Sequence, residues 1–79
     1  MRLSYDPSHN SAYLSFAERP AEVETVCVSD VLNVDLAADG TVCGIELLDA
    51  NRQLLQGDAM RLIITNAVSG TTTEVALSA

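Results

Sequence analysis

"VLNVDLAADGTVCGIELLDA", residues 31–50, decides the fold. Leu32, Val34 and Leu36 alternate with Asn33 and Asp35, the period-two pattern of a half-buried strand. "AADG" then puts Gly40 where a tight connection needs a positive φ, and a second apolar run follows from Val42 to Leu48. Two registers compete. If Ala37 to Gly40 form a four-residue loop, Leu36 faces Thr41, Val34 faces Cys43 and Leu32 faces Ile45. With a three-residue loop, Val34 meets Gly44 and Leu32 meets Glu46. A one-residue slip turns every side chain to the other face; the first register keeps the apolar face intact, so the hydrophobic pattern selects it.

The same stretch holds four carboxylates, Asp35, Asp39, Glu46 and Asp49. In the selected register Asp35 lies opposite Val42, and Glu46 is four residues further along, roughly 13 Å away at strand rise. Asp39 sits in the loop and Asp49 beyond the far end. Such positions do not converge on one cation, and "DLAADG" lacks the D-x-[DN]-x-[DN]-G spacing of a calcium loop. They read as solvent-facing hairpin positions.

Outward from this hairpin the chain continues in short alternating runs. "RLSY" and "AYLSF" flank a "DPSHNS" loop, in which Asp-Pro starts a turn and Asn10 suits a left-handed conformation. "VETVCV" precedes the quoted hairpin. After it, "ANRQLLQ" forms a short helix near residues 50–56, with Asp49 as N-cap and Gly57 as the stop. "MRLIITNAV" and "TTTEVAL" close the chain around Ser69-Gly70. The expected fold is mainly β (a β-rich α+β class): a twisted antiparallel meander of six to seven short strands with one short helix, in a single small domain spanning residues 1–79.

Composition bounds the function. Of 79 residues 48% are apolar, yet Tyr5, Tyr13 and Phe16 are the aromatic complement, so any core is aliphatic. The third, fifth and sixth runs are apolar on both faces, whereas a small antiparallel sheet normally wets one. A second copy of the chain would cover the excess, so a homodimer is expected. The net charge of −7 opposes nucleic acid and anionic membranes and favours a basic protein partner. No run approaches the roughly 20 apolar residues of a membrane span. "MRLSYDPS" has no signal-peptide h-region, so a cytoplasmic location with reduced Cys27 and Cys43 is the expectation.

Catalytic chemistry is sparse. His9 is the sole histidine and there is no lysine, which removes histidine-pair metal sites, Schiff-base and P-loop chemistry. Asp6, Ser8, His9 and Ser11 crowd one loop, but a nucleophilic triad needs a rigid frame and an oxyanion hole. Both cysteines lie in apolar strands without a cation beside them, the setting of an inert thiol. No catalytic, cofactor-binding or metal residues are assigned.

"YDPSHNSAYLSF" and "VDLAADGTVCGIELLDANRQL" together resemble the domain of unknown function 2283 family of small bacterial proteins. Its Tyr-Asp-Pro start and second tyrosine fall on Tyr5, Asp6, Pro7 and Tyr13. Its Asp-containing strand, glycine turn and Gly-Ile-Glu-Ile-Leu-Asp-Ala run fall on Asp35, Gly40, Gly44, Ile45, Glu46, Leu48, Asp49 and Ala50. Asn10 stands where relatives carry an aspartate, which weakens a carboxylate metal loop. The resemblance implies a bacterial, self-contained domain and brings no activity with it. The expected function is therefore non-enzymatic: self-association and protein–protein contact, with the Asp35–Glu46 face as the acidic contact surface. Two alternatives stand beside it: an antitoxin-like partner of a small basic toxin, and a small-ligand or metal module assembled from Tyr5, Asp6, Tyr13 and Glu46 at a dimer interface.

Overall fold

The computed structural model describes residues 1–18, 20, 22–55 and 60–77. The strands are β1 (Arg2–Asp6), β2 (Ser11–Ser15), β3 (Glu24–Ser29), β4 (Leu32–Leu36), β5 (Val42–Leu48), β6 (Arg61–Thr65) and β7 (Thr72–Ala76). One helix, α1 (Ala50–Leu55), follows β5. The mainly-β architecture with one short helix is thus as the alternation of residues dictates. The helix stop at Gly57 lies outside the described residues.

β1 to β5 form one antiparallel sheet in the order β1-β2-β5-β4-β3, and β6 and β7 form a separate two-stranded sheet. The order corrects the expectation of one continuous meander. β2 takes β5, not β3, as its second neighbour, so a hairpin and a three-stranded meander are joined along β2–β5.

The register of the β4–β5 hairpin is neither of the two derived from the sequence. Ala37 N–H donates to Thr41 C=O (2.8 Å) and Gly40 N–H to Ala37 C=O (2.9 Å), leaving three residues, Ala38 to Gly40, in the loop. Gly40 has φ of 86°. This is a type I turn closed by a left-handed residue, the geometry of three-residue hairpin loops. Asp39 fixes it further, accepting hydrogen bonds from Thr41 N–H (2.9 Å) and from the Thr41 hydroxyl. Continued unchanged, that loop would put apolar residues opposite polar ones. Instead the ladder shifts by one: Leu36 pairs with Val42, Cys43 is bulged out, and Asp35 pairs with Gly44. Beyond the bulge Val34 meets Ile45 and Leu32 meets Leu47. Turn chemistry fixed the loop, and a one-residue bulge restored the facing that hydrophobic burial requires.

The sheet has two unlike faces. Leu3, Leu14, Ile45, Val34 and Val26 line up across all five strands on one, next to the row Tyr5, Ala12, Leu47 and Leu32. α1 lies over the Tyr5–Ala12 end, where Ala50 is fully buried and Ala12 nearly so. The rest of the apolar face is less covered: Leu3, Leu14, Val34 and Ile45 are half-buried, Phe16 is 43% exposed and Val26 36%. Among the described residues the buried apolar side chains are Ala12, Cys43 and Ala50, and no large side chain is fully buried. The surface area, 5746 Å², exceeds by about 1,100 Å² the roughly 4,600 Å² expected of a compact monomer of this mass. The radius of gyration, 14.0 Å, compares with about 11.6 Å for a compact 79-residue domain.

Candidate functional site

The opposite face carries a polar network built on Asp35. Register places Ser15, Gly44, Asp35 and Thr25 in one row across β2, β5, β4 and β3, with Tyr13, Glu46 and Asn33 in the next. Because β5 contributes only Gly44 between β2 and β4, nothing stands between Tyr13 and Asp35. The Tyr13 ring lies diagonally over Gly44, and its hydroxyl donates to Asp35 Oδ2 at 2.6 Å. Thr25 Oγ1 donates to Asp35 Oδ1 at 2.7 Å from the other side. A Cβ on Gly44 would fall 2.5 Å from Cζ and 2.8 Å from Cε1 of Tyr13. The glycine is therefore required by the close approach of the ring, the use that an isolated strand glycine advertises.

Asp35 is only 7% exposed, which corrects its reading as a solvent-facing hairpin position. Burying a carboxylate without partners is costly, and here both oxygens receive a hydroxyl. Among the described residues no buried side-chain nitrogen or oxygen lacks a partner. The register correction also moves Glu46. It is two residues, not four, from the position opposite Asp35, on the same face, and its Oε1 accepts from Asn33 Nδ2 at 2.9 Å. Tyr13, Thr25, Asp35 and Glu46 border one open recess of about 410 Å³. Its carboxylates and hydroxyls make it rich in acceptors, a lining suited to a cationic donor group rather than an anion.

A second network joins the first loop to α1. Asn10 takes φ of 53°, as does Asp49. The Asn10 carbonyl accepts from Ala50 N–H (3.1 Å) and its side-chain oxygen from Asn51 N–H (2.8 Å). Asn10 thus satisfies the free N–H groups at the start of α1 that Asp49 was expected to cap. The Asp49 carboxylate instead accepts from Asn10 Nδ2 (3.3 Å) and lies 3.8 Å from Arg52. Asn51 accepts from the Tyr5 hydroxyl (2.5 Å) and donates to Pro7 C=O (3.1 Å).

The alternative set of Tyr5, Asp6, Tyr13 and Glu46 borders a shallow recess of about 160 Å³, but its functional groups diverge. Tyr13 and Glu46 are cross-strand neighbours. Tyr5 belongs to the apolar face, with its hydroxyl turned to Asn51. Asp6 is committed to its own turn: Oδ1 accepts from Ser8 and His9 N–H (3.0 and 3.2 Å), and Oδ2 lies 2.7 Å from His9 Nδ1. The side-chain contact with His9 holds the Asp6 carboxyl below its ordinary pKa, helped by those backbone donors. Among the described residues no three His, Cys, Asp or Glu side chains are placed to hold a metal ion. Both cysteines are free; Cys43 is buried in the bulge, while Cys27 is exposed on β3 rather than shielded in an apolar setting.

The family model described as "Protein of unknown function (DUF2283)" matches residues 2–51. The chain belongs to the DUF2283 family. No curated protein and no solved structure matches it. The DUF2283 match spans the whole five-stranded sheet and ends at Asn51, the second residue of α1; the β6–β7 hairpin lies outside it. Apart from Arg52, both networks fall inside the DUF2283 region. Sequence reading singled out Tyr5, Asp6, Tyr13, Asp35, Gly40, Gly44, Glu46 and Asp49 but missed Asn10, Thr25, Asn33 and Asn51, which complete them. The signal for Asn10 was its aptitude for a left-handed turn. Thr25 gave none, because its role depends on a register that two bulges disturb.

Proposed function

We propose that this DUF2283 chain is a non-enzymatic interaction domain, one domain over its 79 residues, that self-associates as a homodimer and engages a basic protein partner. The observation that carries the reading is the surface of 5746 Å². The excess of about 1,100 Å² over a compact monomer is close to the roughly 800 Å² per partner that a stable interface buries. The acid–base groups support the same reading, since Asp35 is committed to two hydroxyls and His9 to a surface turn. The net charge of −7 and the acceptor-lined recess fit a cationic contact on the partner.

Light scattering on the eluting full-length chain, from micromolar to submillimolar loading, tests the self-association. A mass of two chains is expected; one chain throughout refutes it. The basic partner is tested with a polyarginine peptide. Binding that weakens steeply with salt and falls on Glu46→Gln is the expected result, and binding insensitive to both removes the electrostatic assignment.

A further inference from the structure

The β6–β7 hairpin, like β3, has no buried or half-buried strand residue, and an isolated two-stranded hairpin is marginal in water. Its faces differ. Arg61, Ile63, Thr65, Thr72 and Glu74 share one, where Arg61 Nη1 lies 3.0 Å from Glu74 Oε2 and the two threonine hydroxyls meet at 3.4 Å. That side has its polar groups already matched for water. Leu62, Ile64 and Val75 share the other, at 39%, 50% and 47% exposure, with Thr73 as its one polar member. The ribbon thus presents an uncovered apolar face, and the five-stranded sheet presents another.

We propose that these two faces cover each other between copies: the apolar side of the β6–β7 ribbon of one chain seats on the open apolar row of the sheet of a second chain, and the second ribbon returns the contact. This rests on the self-association proposed above and names its geometry. A two-fold pair closes the exchange, so one symmetric event covers two ribbons and two sheet faces. Dimensions agree. Five-residue strands are about 17 Å long, and the row from β1 to β3 crosses four strand spacings, about 19 Å. The area agrees too, since the excess surface is near that needed for one side of a stable dimer. The other routes are less well supplied. The β3 edge is interrupted by a bulge between Cys27 and Ser29, a device that blunts edge pairing. The polar face has its carboxylate already satisfied within the chain.

The test uses the full-length chain with a photoreactive benzoylphenylalanine at position 64, prepared in ¹⁴N and ¹⁵N forms, mixed after unfolding and refolded together. Crosslinks from position 64 to β2 or β5 peptides, about half of them joining a light to a heavy chain as random pairing requires, are the expected result. Light scattering on Ile64→Gln and Ile63→Gln provides the second readout. The first should weaken the dimer at least 100-fold, because two buried isoleucines are lost per pair, and the second less than about threefold. Light–light and heavy–heavy links alone mean that the ribbon folds onto its own sheet, and overturn the exchange. Light–heavy links from position 64 to the partner's ribbon alone, or equal sensitivity of positions 63 and 64, leave the dimer standing and also overturn it. A monomer at every concentration removes self-association and the exchange together.

Discussion

The five-stranded sheet and the β6–β7 hairpin are made from the same kinds of residue, short aliphatic strands with a tight turn, and yet they are specified differently. The sheet has long-range pins: Tyr13 and Thr25 meet at Asp35 from strands on either side, and Asn10 holds a helix that begins forty residues later. The hairpin has an ion pair, a threonine pair and an Asn66 turn, all local. A pattern of apolar residues therefore suffices to make a strand. It takes a directional, nearly unique polar contact to tell the strand which neighbour to choose.

Hydrogen exchange on dilute protein can break this contrast most directly. Amides at Val34 and Ile45 should be protected at least 1,000-fold, and those at Leu62 to Ile64 no more than about tenfold. Equal protection would mean that hairpin and sheet unfold as one unit. Within the sheet, Gly44→Val should cost about 3 kcal/mol or more, because the Tyr13 ring has no room to yield without abandoning Asp35. A urea transition that moves by less than half that amount would show that the ring does not need to lie over the glycine.

Asp35→Ala should cost about 2 to 3 kcal/mol, since it strands two hydroxyls, and Tyr13→Phe about 1 to 2. The double variant should fall short of additivity by about 1 kcal/mol. Asn10→Ala should cost about 1 kcal/mol through the lost cap on α1. The smallest effect belongs to Asp6. Its folded pKa is depressed, so its contribution is present above the unfolded value of 3.8 and is lost as pH falls through the lower folded value. The small stability difference between wild type and Asp6→Asn should be present at pH 5 and shrink below pH 4. A difference that persists at pH 2 would place the effect in the turn backbone rather than in ionisation.

Much of the fold was legible because it follows from local chemistry. Gly40 announced a turn, Leu32, Val34 and Leu36 a buried face, and Asp49-Ala50 the start of a helix. The register was not legible, because burial and turn chemistry gave opposite answers over Ala37 to Gly40. The sequence cannot show that a bulge at Cys43 reconciles them. The Asp35 node was hidden for a related reason. Alternation assigns an aspartate to solvent, and only the non-consecutive pairing of β2 with β5 brings Tyr13 across to cover it. The network was foreshadowed by Gly44, a residue without a side chain in the middle of an otherwise apolar strand.

The bulge carries a consequence for how this hairpin can change length. Removing one residue from a strand ordinarily inverts everything beyond it, so β-structure tolerates deletions poorly. Cys43 is different, because it has no counterpart on β4, although on the β2 side its carbonyl accepts from Phe16 N–H (2.9 Å). Excising it would leave Leu36 beside Val42 and Asp35 beside Gly44, with an uninterrupted ladder and the same loop. A chain shortened there would keep the faces that β4 and β5 present, and would lose one buried side chain and the Phe16 contact.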